Sequence, residues 1–347
     1  MTDIKAFLKH YDGPALSFME VCGTHTASIS RCGIPSMLSP QIHLISGPGC
    51  PVCVTVTAYI DRLIALSLEP GCTVVSFGDM LRVRGSRENL QDARARGGHV
   101  TMVYSPMDVL PLAVQHPDTC YIFAAVGFET TTPVYALLLQ ECIQQNIQNV
   151  KLLTALKTMP PVIDWLCTTR SGKIDGFLAP GHVSVITGSR IFEPLAQRYG
   201  LPFAVSGFEG DEILSALYAL VKLRGQGKVY NLYPQCVTHD GNEQAQKLVN
   251  TYFEPVAASW RGIGSIPHSG LQLRREYAQY DAGSSGLTAD HEANRQCRCK
   301  DVLVGAIAPH QCPLFGSVCT PDTPCGACMV STEGSCFHYF QNRRGMS

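Results

Sequence analysis

Cysteine dominates the groups in this chain that could do chemistry. Seven of its sixteen cysteines fall between Cys297 and Cys336, as C-R-C, then C-P-L-F-G-S-V-C, then C-G-A-C and a last Cys336. A separate pair, Cys50 and Cys53, sits upstream in G-P-G-C-P-V-C. Two thiols at this spacing can cycle between dithiol and disulfide, and crowded thiolates bind soft metals. A third constellation is M-E-V-C-G-T-H-T, which sets Cys22 beside His25. A thiolate next to an imidazole suits a nucleophile or a soft ligand for iron. The competing account of that segment is a Cys-Gly turn with a capping threonine.

The C-terminal thiols can be read as Cys297-x14-Cys312-x6-Cys319-x16-Cys336. Zinc ribbons place close C-x-x-C knuckles at both ends, and this set is too spread for one. A [4Fe–4S] cluster takes four thiolates and tolerates varied spacing. Seven cysteines compete for four places, so spacing alone does not select the ligands. By contrast Cys72, Cys120, Cys142 and Cys167 stand singly in apolar contexts and are expected to be small core residues.

The elements that must hold these groups alternate. Candidate strands at Ile42–Ser46, Thr73–Phe77, His99–Tyr104, Cys120–Val126, Lys151–Ala155, Gly176–Leu178 and Pro202–Ser206 are separated by amphipathic, helix-like stretches. Such alternation argues for α/β architecture with parallel sheets covered by helices. The run is long enough for two such units, expected over 1–117 and 118–229. Residues 230–347 are rich in Gly, Pro, Cys and polar residues and are expected to form a loop-rich third unit stapled by metal. I-H-L-I-S followed by G-P-G-C-P-V-C predicts strand, turn and helix, with Cys50 at the helix N-terminus. There the dipole lowers a thiol pKa, the thioredoxin-like arrangement; two buried structural cysteines are the alternative. Three strands end on acids, at Asp79, Glu129 and Glu209, and a fourth leads to His182. Ligands of open α/β sheets bind at such strand ends, although the same residues also cap helices. Asp79, Glu129 and His182 are accordingly candidates for proton transfer.

Composition narrows the class. Of 347 residues, 45% are hydrophobic and 16% charged, and the formal net charge of −1 comes without a basic run, so nucleic acid is not an expected partner. No apolar stretch approaches the roughly 20 residues of a membrane helix. M-T-D-I-K-A-F-L-K-H lacks the core of a signal peptide, which predicts a cytoplasmic protein with reduced thiols. No G-x-x-x-x-G-K-[ST] loop predicts an ATP site.

Taken together, E-V-C-G-T-H-T (20–26), G-P-G-C-P-V-C-V-T (47–55), F-G-D-M-L-R-V (77–83), G-F-E-T-T-T-P (127–133), P-G-H-V-S-V-I (180–186), and C-P-L-F-G-S-V-C-T-P with C-M-V-S-T-E-G-S-C (312–336) resemble the HypD family of hydrogenase maturation factors. The resemblance spans nearly the whole chain in order. It implies two related Rossmann-like domains with a C-terminal iron–sulfur region, and a scaffold for the Fe(CN)2CO group of [NiFe]-hydrogenases. Its implied partners are a HypC-type chaperone that shares the iron, a HypE-type protein that delivers cyanide and, indirectly, the hydrogenase large subunit. It implies iron binding at Cys22, a redox-active pair at Cys50 and Cys53, and [4Fe–4S] ligation by Cys297, Cys312, Cys319 and Cys336. The sequence departs from the usual pattern at Ala179, Arg84 and Gly210, and Cys325 is an extra thiol. Cys299 and Cys328 recur in relatives, so the ligand set could shift by one cysteine. Two other classes compete: an iron–sulfur thiol/disulfide reductase, which would use the same cluster and C-x-x-C without Cys22, and a zinc-stapled binding protein.

Overall fold

A computed structural model of the chain describes residues 3–170, 172–291, 294 and 296–342. Eleven strands run in chain order: β1 Leu16–Glu20, β2 Ile42–Ser46, β3 Cys72–Ser76, β4 Val100–Met102, β5 Cys120–Gly127, β6 Val150–Lys157, β7 Gly176–Pro180, β8 Phe203–Ser206, β9 Val229–Asn231, β10 Phe253–Trp260 and β11 Gly264–Leu273. One sheet has five strands in the order β2-β1-β7-β8-β9, all parallel. The other has six, β10-β11-β6-β5-β3-β4, in which β11 pairs antiparallel with both β10 and β6 and the remaining pairs are parallel. The architecture is α/β with two Rossmann-like sheets, as the alternation of elements predicts.

Helices cover the sheets through apolar stripes. In Thr57–Leu68 the buried residues Tyr59, Ile60, Leu63 and Ile64 recur at helical spacing and the helix packs on β3. In β5 every residue from Tyr121 to Gly127 is buried, the near-continuous apolar run of a strand covered on both faces.

Sheet membership does not follow the chain in blocks. Before residue 117, β1 and β2 join the first sheet whereas β3 and β4 join the second. After it, β5, β6, β10 and β11 complete the second sheet and β7, β8 and β9 the first. The chain crosses between the sheets through the helices Thr57–Leu68 and Met159–Thr169, and again through Glu243–Tyr252. Segments distant in sequence therefore meet. One apolar core joins Met19 and Val21 of the β1 end, Cys50 and Cys53, Phe128 after β5, and Cys312, Cys319, Cys328 and Cys336.

Two local expectations differ from the structure. The chain around Cys50–Val54 is a series of turns, closed by Val54 N–H donating to Cys50 O (3.3 Å) and Thr55 Oγ1 to Pro51 O (2.8 Å). The helix starts only at Thr57, so Cys50 gains nothing from its dipole. Second, the region after residue 230 carries a helix and the β10–β11 hairpin, which extends the second sheet. Burial does not alternate along either strand of the hairpin, and the exposed residues disguise them as loop.

Candidate functional site

Cys22 follows directly on the buried end of β1 and is the N-cap of the helix Gly23–Arg31. The Glu20 carboxyl wraps around it: Oε2 accepts from Cys22 N–H (3.0 Å) and Oε1 from Thr26 Oγ1 (2.5 Å). Burial pushes Glu20 up to about 7 against the lowering effect of those bonds. Burial likewise pushes the Cys22 thiol up to about 12; the His25 amide favours the thiolate, whereas Glu20 and Glu333 oppose it. A cation with a vacant coordination position would reverse that balance, because a coordinating thiol loses its proton outright.

Three segments converge on this thiol. Gly23 N–H donates to Gly49 O (3.0 Å), and a side chain at Gly49 would run into the Cys22 backbone. A Cβ on Gly23 would lie 2.6 Å from Glu333 Cβ. Both glycines allow a close approach that any larger residue would block. Cys50 and Cys53, on the loop after Gly49, are at disulfide bonding distance with their Cα atoms 5.3 Å apart, and both are buried.

The His25 ring bonds Gly207 rather than the Cys22 thiol. It is fully buried, and burial lowers it to about 4, so the ring is neutral. Its Nε2–H donates to Gly207 O (2.9 Å), which leaves Nδ1 unprotonated and without a protein partner. Phe208 lies between two imidazoles, with ring centres 4.8 Å from His25 and 4.1 Å from His182. His182 stands in the first turn of the helix Gly181–Thr187, and burial lowers its pKa too.

The acids at the strand ends have separate tasks. Asp79 Oδ2 accepts from Ser331 Oγ (3.2 Å), Thr332 N–H (3.2 Å) and Thr332 Oγ1 (3.4 Å), tying β3 to the C-terminal segment. Next to that anchor, burial and then the charge of Asp79 raise the pKa of Glu333. Glu129 Oε1 accepts from Met159 N–H (2.7 Å) at the start of the helix Met159–Thr169. Its Oε2 is buried without a protein partner, and burial pushes the group up to about 7. Glu209 caps its helix through a reciprocal pair with Glu212, the capping role. Glu20 and Glu333 are not among the acids at the predicted strand ends. Both lie inside conspicuous motifs, E-V-C-G and S-T-E-G-S-C, so their proximity to cysteine was the available signal.

The C-terminal thiols gather around one small cavity. Cys297, Cys312, Cys319 and Cys336 line it, and so do Cys299 and Cys328; Val302, Phe315 and Met329 supply apolar wall. Cys336 N–H donates to Cys328 Sγ (3.2 Å) and Cys325 N–H to Cys319 Sγ (3.3 Å). A Cβ on Gly326 would lie 3.0 Å from Cys297 Sγ, so glycine there lets the backbone close over the sulfurs. Among the described residues, no three His, Cys, Asp or Glu side chains stand where they could hold a metal ion. The donor set, all sulfur in an apolar shell, fits a thiolate-ligated iron–sulfur group. The arrangement brings the expected four thiols together and does not separate them from Cys299 and Cys328.

The HypD family, described as "Hydrogenase formation hypA family", matches residues 1–343. The chain belongs to the HypD family. Among its relatives are hydrogenase maturation factor HypD of Azotobacter vinelandii (40% identical, covering 93% of this chain and 88% of the relative) and of Rhizobium leguminosarum bv. viciae (42%; 92% and 86%). The HypD of Escherichia coli K12 is 39% identical over 95% of this chain and 90% of its own. Within this HypD-family fold, the stretches 20–26, 47–55 and 328–336 supply the residues that converge on Cys22, and 77–83 supplies Asp79, which fastens the last of them. Among the described residues no helix is long and apolar enough to cross a membrane.

Proposed function

We propose that the chain acts in hydrogenase maturation as the scaffold on which the Fe(CN)2CO group is assembled, with iron as its cargo. The carrying observation is the convergence on Cys22: a buried thiol hemmed by Glu20, Glu333 and the glycine that precedes the Cys50–Cys53 pair. Iron held by Cys22 and a thiolate from a HypC-type chaperone would satisfy a sulfur that its surroundings otherwise keep protonated. Glu20 and Glu333 would then offset the added positive charge.

The Cys50–Cys53 pair supplies electrons. A thiocyanate group on a HypE-type donor, R–S–C≡N, takes up two electrons and leaves as R–SH and cyanide. The two cysteine thiols lose those electrons and two protons as they close to the disulfide, one proton going to R–S⁻ and one to a nearby base. Glu129, with a free buried oxygen and a pKa near 7, and His182 are the groups suited to proton traffic. A [4Fe–4S] cluster held by Cys297, Cys312, Cys319 and Cys336 supplies single electrons when bound. Cys53 Sγ lies 3.9 Å from Ala327 O, next to Cys328 in the cavity wall, a short path back to the disulfide. The assembly would take place in the cytoplasm and pass its product towards the hydrogenase large subunit.

General thiol/disulfide reductase activity is the weaker reading. That reading leaves the convergence of Glu20, Gly49 and Glu333 on Cys22 without a task. The deciding experiment is infrared spectroscopy of the chain co-purified with its small partner. Bands of iron-bound cyanide are expected for the wild type and absent for Cys22→Ala; bands that persist in the variant overturn the scaffold reading.

A further inference from the structure

Cys72 and Cys120 look like isolated core cysteines in the sequence, and the fold makes them neighbours. They are the first residues of β3 and β5, and the parallel register of these strands places Cys72 directly opposite Cys120. Register partners on adjacent strands point to the same face of the sheet, and neighbouring strands run about 4.8 Å apart. That separation falls within the ~4.4–6.8 Å between Cα atoms that a disulfide spans. The two thiols act on each other electrostatically, and both are free. Both are only half-buried, unlike Cys142 and Cys167, which the core encloses. They sit at the N-terminal ends of their strands, whereas Glu129 follows the opposite end of β5.

We propose that Cys72 and Cys120 form a second working dithiol, a modification site that small-molecule disulfides convert to a cross-strand disulfide. One thiolate of the pair attacks a sulfur of R–S–S–R, forming a mixed disulfide and expelling R–S⁻. The other thiolate then attacks the cysteine sulfur of the mixed disulfide and expels the second R–S⁻. The two cysteines lose two electrons, R–S–S–R gains them, and the two cysteine protons end on two R–SH. Burial raises the pKa of Cys72, the Cys120 thiol and the Glu69 carboxylate add to the rise, and the ammonium of Lys151 opposes it, so the exchange speeds up as pH increases. Once formed, the bond locks the β3–β5 pairing at its exposed end. The proposal is independent of the maturation role.

Peptide mapping of the intact chain tests it. The protein is incubated anaerobically with excess oxidised glutathione at about pH 8, its remaining thiols are alkylated, and the digest is analysed by mass spectrometry. Joint loss of the Cys72 and Cys120 thiols into one linked peptide pair, reversed by dithiothreitol, is expected. Recovery of both as alkylated thiols, or as two separate glutathione adducts, overturns the proposal. In Cys72→Ser the first step remains and the second is impossible, so the glutathione adduct on Cys120 should rise about tenfold over wild type. An unchanged adduct level also overturns it. If that variant does not fold, Cys120→Ser poses the same question at Cys72, and the wild-type map decides alone.

Discussion

Cys22 and the cavity thiols Cys297 and Cys299 are kept from ionising by different neighbours. At Cys22 desolvation comes first, and the surrounding acids Glu20 and Glu333 add to it. At the cavity, burial leads at Cys297, followed by the charges of Cys299, Cys312 and Cys319, while Cys299 is held up first by its bond to Cys328. A single thiol with carboxylic acids nearby can take and release one cation as its surroundings change protonation. A ring of sulfurs in an apolar shell has no such lever and suits a group that stays. On the proposed scaffold reading, the contrast would separate a loading site from a permanent one.

Removing one sulfur from each region should break this comparison most visibly. Cys312→Ser is expected to abolish the visible absorbance and acid-labile sulfide of anaerobically purified protein, whereas Cys22→Ala retains both. Equal loss in the two variants would dissolve the distinction.

A smaller effect sharpens the electrostatics at Cys22. The folded pKa of Glu20, about 7, lies above its ordinary 4.5, so its contribution to stability is full below pH 4.5 and is lost as pH rises through 7. The loss amounts to at most about 3 kcal/mol. Glu129 behaves in the same way, and His25, lowered from 6.5 to about 4, has the opposite sign: it costs stability as pH falls through that window. Urea unfolding of wild type and Glu20→Gln on either side of this range isolates the Glu20 share, because the other two contributions cancel in the difference. Equal pH slopes in the two proteins would show that Glu20 is ionised throughout.

The smallest expected effect concerns the tie between the regions. Asp79→Ala removes the acceptor of Ser331 and Thr332, at a cost of about 1–2 kcal/mol. Hydrogen exchange at the Thr332 amide should accelerate while the absorbance of the C-terminal region is preserved. Loss of that absorbance would mean that the β3 anchor also organises the thiol cavity.

Much of the frame is legible in local sequence. Ile42–Ser46 coincides with its strand, because a β-branched run states its own periodicity. Leu16–Glu20 escapes, since a strand buried on both faces does not alternate, and so does the β10–β11 hairpin, whose glycines and exposed residues resemble loop. Pro51 invites a helix start that the chain postpones to Thr57, where the turns around Cys50 and Cys53 end.

The sequence by itself determined the chemistry: a Cys22 motif, a C-x-x-C pair, a C-terminal run of thiols and the helices and strands to carry them. Only the tertiary structure decided which groups meet. It set Glu333 against Gly23, fastened Thr332 to Asp79, crowded six sulfurs around one cavity and put Cys72 opposite Cys120. Local spacing encodes periodicity along one element, whereas these contacts depend on strand order and on the repeated crossing of the chain between two sheets. That order follows from which apolar faces bury each other across the whole chain, and no short motif carries it.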